Sequence, residues 1–170
     1  MQVREATLKD AGPIAAICHS QFQVAHKEGM TQDDLLYYVD KTFSKEAVEA
    51  DLSNAENIHF VATDNDQDIL GCINVGKVHL PQASHIESAM EITRLYIKPE
   101  YIGKGIALAL MEKVKTLARA KQKESLWLHV YKGNEEAIKF YKKWGFNIVG
   151  ELNFPVRKSC PVGWVMMCKL

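Results

Sequence analysis

The sequence has no cysteine pair at short spacing. Its four cysteines, Cys18, Cys72, Cys160 and Cys168, lie far apart with no C-x-x-C, and its six histidines show no metal-ligand spacing, so no metal centre is expected. Net charge is also missing, since 21 basic side chains balance 21 acidic ones. That removes the electrostatic reason to expect a nucleic-acid or anionic-membrane partner. No apolar segment follows Met1, and no run approaches the ~18 apolar residues of a membrane span. A reducing cytoplasm is the expected location. Repeats and low-complexity linkers are absent too, and 170 residues fit one domain covering 1–170.

What is present is ordinary globular material, 47% hydrophobic and 25% charged. Val3–Ala6 reads as a first strand. Thr7 with Asp10 gives a loose capping box before a helix carrying Ile14, Ile17, Cys18 and Phe22. Thr31 opens a second helix with Leu35, Leu36, Val39 and Phe43 on one stripe, and Ser44 opens a third with Ala47, Val48 and Leu52. Ile58–Thr63 and Ile69–Val78 flank Asp64-Asn65-Asp66 and predict an antiparallel hairpin. Met90–Ile97 is a further strand, followed by a helix from about Gly105 to Lys121. Leu126–Val130 is a buried strand, Asn134–Trp144 a helix ended by Gly145, and Phe146–Gly150 and Trp164–Cys168 are closing strands. The order β-α-α-α-β-β-β-α-β-α-β-β predicts an α/β (α+β) fold. Its mixed, mostly antiparallel sheet of six to seven strands has helices on both faces and a central parallel β-α-β unit.

The segment Tyr96-Ile97-Lys98-Pro99-Glu100-Tyr101-Ile102-Gly103-Lys104-Gly105-Ile106-Ala107 carries the chemistry. Pro99 stops the strand. Two glycines one residue apart let successive N–H groups face outward at a helix N-terminus, an arrangement suited to a pyrophosphate, with Lys104 as an added cation. The dinucleotide fingerprint fails because Leu108 stands where G-x-G-x-x-G/A needs a small residue. The Walker pattern fails because Gly105 follows Gly103-Lys104. From spacing alone the loop reads equally as an anion cradle and as a plain glycine turn.

That segment resembles motif A of the GNAT N-acetyltransferase superfamily, [QR]-x-x-G-x-[GA], with Ile102, Gly105 and Ala107 at its first, fourth and sixth positions. Ile102 departs from the usual Gln or Arg. The stretch H-V-Y-K-G-N-E-E-A-I-K-F-Y-K-K-W-G-F, residues 129–146, resembles motif B, N-x-x-A-x-x-F-Y-x-x-x-G-F, at Asn134, Ala137, Phe140, Tyr141, Gly145 and Phe146. The resemblance implies acetyl-CoA as cosubstrate, with its pyrophosphate on the amides of Ile102, Gly103, Lys104, Gly105, Ile106 and Ala107. It also implies that the pantetheine arm pairs with Leu95, Tyr96 and Ile97 as an added strand.

The same resemblance assigns Tyr141 as the acid that protonates the departing thiolate; periodicity alone would make it an amphipathic core tyrosine. Asn134 caps its helix and touches the cofactor. Glu91, eleven residues before Ile102, stands where histone-type members carry a basic glutamate, and reads equally as a base and as a solvent-facing strand residue. Strict alternation would put residues 91, 93, 95 and 97 on one face. Lys113, Lys115, Arg119 and Lys121 are candidates for the 3′-phosphate or for a soluble helix face, and His129 reads as a core histidine.

Acceptor selection is expected between residues 20 and 55, where Glu28, Asp33, Asp34 and Asp40 accompany Phe22, Tyr37, Tyr38 and Phe43. G-M-T-x-x-x-L-x-x-Y, F-S-x-E and M-E-I-T-R-L-Y-I also resemble bacterial polyamine N-acetyltransferases, which implies a small amine such as spermidine. An N-terminal peptide or protein acetyltransferase and a non-catalytic acyl-CoA-binding module are the alternatives. Outer strands near the C-terminus leave room for a homodimer.

Overall fold

The computed structural model describes residues 1–170. Its elements are β1 Gln2–Glu5, α1 Ala11–His26, α2 Gln32–Thr42, α3 Lys45–Leu52, β2 Asn57–Thr63, β3 Ile69–Gly76, β4 Ala89–Ile97, α4 Ile106–Ala120, β5 Ser125–Tyr131, α5 Glu135–Lys143, β6 Asn147–Asn153 and β7 Val162–Lys169, with short 3-10 turns at Leu8–Asp10 and Pro99–Tyr101. All seven strands form one sheet in the order β1-β2-β3-β4-β5-β7-β6. Only β4 and β5 pair in parallel; every other neighbour is antiparallel.

The caps form where the sequence places them. The Thr31, Ser44 and Asn134 side chains accept from the amides of Asp34, Ala47 and Ala137 at 3.3, 3.1 and 3.3 Å, each removing one of the unpaired donors of a helix start. At the first helix the carboxylate of Asp10 accepts from the Thr7 amide at 2.7 Å and from the Arg4 guanidinium at 2.8 and 2.9 Å. The Arg4 bonds, reinforced by Thr7, hold its pKa down at about 2.

The sheet separates two cores. On one face α4 and α5 press Leu110, Met111, Val114 and Tyr141 onto Ile73, Met90, Ile92, Leu126 and Leu128. On the other, α1, α2 and α3 cover Val61, Ile69 and Cys72 with Ile14, Cys18, Phe22, Leu35, Val39 and Val48. Each fully buried aliphatic side chain contributes roughly 1.5–3 kcal/mol.

Two features of the sheet position the site. The first is a bulge in β4. Val75 pairs with Ile92 but Asn74 with Arg94, which leaves Thr93 as an extra residue, its hydroxyl donating to the Asn74 carbonyl at 3.4 Å. Alternation is therefore broken, and residues 91, 93, 95 and 97 do not share a face. Met90 and Ile92, then Leu95 and Ile97, pack toward α4 and α5, whereas Tyr96 packs among the α1–α3 side chains and Arg94 binds Asp51 of α3. The second feature is a splay. Parallel pairing of β4 with β5 runs only from Ala89–Ser125 to Ile92–Leu128. Beyond it β5 continues to pair with β7, and the β5-facing edge of Leu95–Ile97 has no strand partner.

Candidate active site

The splay opens into two adjoining cavities. The larger, about 850 Å³, has Leu95, Tyr96 and Ile97 along one wall, Ile102, Gly103, Gly105, Ile106 and Ala107 at one end, and Asn134, Ala137, Phe140 and Tyr141 of α5 opposite. The smaller, about 330 Å³, lies on the α1–α3 face between Phe22, His26, Tyr38, Phe43, His129 and Phe154, and reaches Glu91. Ala25, Leu95, Tyr96, Tyr131, Asn134, Ala137 and Tyr141 line both. Molecules held in the two cavities would meet beside Tyr141.

The loop end of the larger cavity presents backbone amides that could hold an anion. Gly103 and Gly105 both adopt φ of +80°, and a Cβ at either would meet no atom within 4 Å. Glycine is needed there for the left-handed turn and not for space. The amides of Gly103, Gly105, Ile106, Ala107 and Leu108 have no backbone acceptor, and they open α4 at its positive end. Ile102 is 65% exposed, so replacing the usual polar residue there removes a side-chain contact and leaves the amides in place. Lys104 lies outside the lining; its ammonium sits 5.0 Å over the Tyr101 ring, and Tyr101 takes the wall position instead.

Tyr141 is 8% exposed. Burial alone pushes its phenol well above the ordinary value, with no hydrogen bond to a protein group opposing it. It therefore keeps its proton at neutral pH and is available as a donor. Glu91, 7% exposed, is not a solvent-facing strand residue. It accepts the His79 amide at 2.7 Å, and burial raises its pKa against that bond. Asn134 caps α5 and lines both cavities.

Some candidates fall elsewhere. Of the four acidic residues expected to select the acceptor, none lines the smaller cavity. Glu28 faces the larger one, Asp40 binds His19 at 2.9 Å, and Asp33 is exposed at the start of α2. Asp34 accepts the Ser159 hydroxyl and amide at 2.7 and 2.8 Å, which hold its carboxyl below the usual range. That clamp fixes the β6–β7 hairpin against α2 and brings Phe154 over the smaller cavity, 5.2 Å from Tyr38 and 6.3 Å from Phe22 between ring centroids. Phe22, Tyr38 and Phe43 do line it; Tyr37 does not. Lys113 and Lys115 lie over Phe60 and Trp144, while Lys27, Lys139 and Lys143 line the larger cavity. Lys139 and Lys143 are four apart on the helix that carries Tyr141, a spacing that could have signalled them. Phe154 and Tyr131 had no such signal. His129, read as a core histidine, is half-buried and borders the smaller cavity, its ring donating to the Leu152 carbonyl at 3.2 Å.

The family model described as "Acetyltransferase (GNAT) family" matches residues 24–146. The chain belongs to the GNAT acetyltransferase family. An N-acetyltransferase of uncharacterized role from Mycobacterium tuberculosis is 28% identical, covering 96% of this chain and 99% of that protein. Spermidine N(1)-acetyltransferase of Thermoplasma acidophilum is 21% identical over 87% of this chain and 89% of its own. Among solved structures, PaiA N-acetyltransferase from Thermoplasma acidophilum in complex with coenzyme A superposes with a TM-score of 0.80, at 20% identity over 99% of this chain and 98% of that one. The sheet and helix arrangement expected from the sequence is thus that of this fold. The family also assigns the activity class, acetyl-CoA-dependent N-acetyl transfer. No helix is long and apolar enough to cross a membrane, and no group of three or more His, Cys, Asp or Glu is placed to hold a metal ion.

Proposed function

We propose that residues 1–170 act as one domain that transfers the acetyl group of acetyl-CoA directly to a small primary amine, with a polyamine or diamine such as spermidine as the acceptor class. The observation that carries this reading is the meeting of two differently built cavities at Tyr141. The larger fits a CoA in kind: unpaired amides for a pyrophosphate, an unpaired β4 edge for a pantetheine amide, and an apolar wall. Acetyl-CoA supplies an acyl group already activated as a thioester. Leu95–Ile97 orient it through the backbone, and Tyr141 donates a proton to the sulfur as the C–S bond breaks.

The acceptor side is aromatic and holds one buried carboxylate, Glu91. An alkylammonium of pKa above ~10 must lose a proton before attack. Glu91 is the proposed base, acting through water, and its ionised form attracts the cationic acceptor. Rings of Phe22, Tyr38 and Phe43 add cation–π attraction. The named activity of the Thermoplasma relative supports the polyamine class. We also propose cytoplasmic residence, in keeping with four widely spaced cysteines that include no C-x-x-C pair. A homodimer would form through β6, the sheet-edge strand whose Ile148 and Val149 are exposed; β7 lies inside the sheet.

A thiol-release assay with acetyl-CoA and a panel of polyamines, amino acids and peptides tests the reading. Acceptor-dependent release with spermidine or a diamine is expected. Release with peptides alone would favour an N-terminal acetyltransferase, and CoA binding without release from any amine would reduce the protein to an acyl-CoA-binding module.

A further inference from the structure

Glu91 presents a problem of reach. It lies four residues before Leu95 on β4, and Leu95 is a residue that both cavities share. At ~3.3 Å per strand residue that is on the order of 12 Å from the junction, whereas direct proton transfer needs about 2.6–3.2 Å or one water between. Neither direct transfer nor a single water spans that distance, so Glu91 needs a longer water chain or a group nearer the junction that takes the proton first.

His26 is placed for this. It ends α1, next to Ala25, which lines both cavities, and its own side chain lines the acceptor cavity. Its ring stacks on Phe22 with centroids 3.9 Å apart and planes at 13°. On its other side stands Tyr131, a junction residue, at 5.5 Å. Tyr131 is itself pinned, because a Cβ at Gly29 or at Gly133 would collide with its ring. The imidazole Nδ1 lies 3.0 Å from the Phe22 carbonyl. A carbonyl only accepts, so Nδ1 carries the hydrogen and Nε2 keeps its lone pair, with no protein donor bonded to it.

We propose that His26 Nε2 is the first acceptor of the amine's proton and passes it to solvent or along water to Glu91. The inference rests on the acetyl-transfer reading above. R–NH3⁺ gives one proton to Nε2. The freed nitrogen lone pair forms the C–N bond at the thioester carbonyl carbon, the C–S bond breaks, and Tyr141 donates its hydroxyl proton to the sulfur. The second proton of the nitrogen returns to the tyrosine oxygen, so the sum is one acetamide, one thiol and one released proton.

The surroundings keep the ring neutral and ready. Burial lowers its pKa, helped by nearby His129 on β5 and opposed by the Phe22 carbonyl. The other titratable or charged groups of the cavity are Tyr38 on α2, His79 in the β3–β4 connection, Glu91 and Arg94 on β4, Tyr131 on β5 and Tyr141 on α5; the His79 ring lies 3.9 Å from the Glu91 carboxylate. Arg94 is bound to Asp51 at 2.6 Å. None of these groups donates a hydrogen bond to Nε2. His129 differs, since its ring hydrogen bond goes to Leu152 of β6.

The test is the pH dependence of kcat/KM for the acceptor in His26→Ala and His26→Gln, with imidazole added to the alanine variant. At pH 7 a loss of 30-fold or more is expected, shrinking below 5-fold near pH 9.5, with at least 5-fold rescue by imidazole. A loss equal at every pH without rescue would assign His26 a packing role and overturn the proposal. So would a loss under 3-fold. Nitrogen NMR of the wild-type protein gives a check independent of turnover: a neutral Nδ1–H ring at pH 7 is expected, and an Nε2–H tautomer or a charged ring would contradict it. If the wild-type protein releases no thiol with any amine, the acetyl-transfer reading itself fails; an active wild type with an unaffected His26→Ala fails only this inference.

Discussion

The two cavities share Tyr141 but are built from different material. The proposed cofactor side sets its polar recognition in backbone, beside an apolar wall: left-handed glycines, the open amides of a helix start and the unpaired edge of β4. The acceptor side is made of side chains from α1, α2, β4, β5 and the β6–β7 hairpin. Backbone recognition tolerates side-chain change, which is why Ile102 can replace a polar residue without dismantling the cradle. Side-chain recognition does not, so a change of side chain on the acceptor side changes what the cavity fits.

That contrast can be broken at several points. The largest effect is expected for Tyr141→Phe, which keeps the ring and removes the donor. Turnover in the thiol-release assay should fall about 10²- to 10³-fold, while CoA affinity by calorimetry changes less than about threefold. An equal loss of both would make Tyr141 part of the cofactor wall and not the acid. Next is Gly105→Val, which forces a β-branched residue into φ of +80° at a cost of at least ~1–2 kcal/mol. CoA should bind about tenfold or more weakly, with the acceptor KM nearly unchanged.

Phe154→Ala should do the reverse. It opens the roof of the acceptor cavity, raising the acceptor KM about 5- to 20-fold, on the order of ~1–2 kcal/mol, with CoA affinity unaltered. If Phe154→Ala weakened CoA binding as well, the two cavities would not be separate in function. Asp34→Asn, loosening the clamp that holds the hairpin, should give a smaller change in the same direction.

The smallest expected effect is on stability. Burial raises the pKa of Glu91 in the folded protein, so the folded state disfavours the ionised form. Above the folded pKa, Glu91 therefore costs stability, and the cost disappears as pH falls through that raised value and then the unfolded one. Glu91→Gln should then melt at equal or slightly higher temperature at pH 7, with the difference vanishing in acid, even as acceptor affinity falls. A lower melting temperature at pH 7 would mean that the His79 amide bond outweighs desolvation.

The same contrast explains what could be read from the amino-acid order. Caps at Thr31, Ser44 and Asn134 and the glycine turn are local, so neighbouring residues state them. The cofactor side follows because Leu95–Ala107 and Asn134–Tyr141 are contiguous pieces. The acceptor side is assembled by long-range packing. Asp34 looked like an acceptor ligand because its partner Ser159 is 125 residues away. Phe154 and Tyr131 reach the cavity only through the hairpin and the splay. The Thr93 bulge reversed which side chains accompany Glu91, and alternation alone could not show it. His26 carries no signal in the amino-acid order, because Tyr131 of β5 comes beside it only through the fold.

The central claim is that a CoA lies along β4 with its sulfur at Tyr141, where the acceptor cavity opens. A crystal structure of the protein with bound CoA tests it most directly. The account predicts pyrophosphate oxygens on the amides of Gly103, Gly105, Ile106, Ala107 or Leu108, a pantetheine amide paired with Leu95–Ile97, and the sulfur within about 3.5 Å of the Tyr141 hydroxyl. A pyrophosphate bound elsewhere, or a sulfur pointing away from Tyr141, would contradict it.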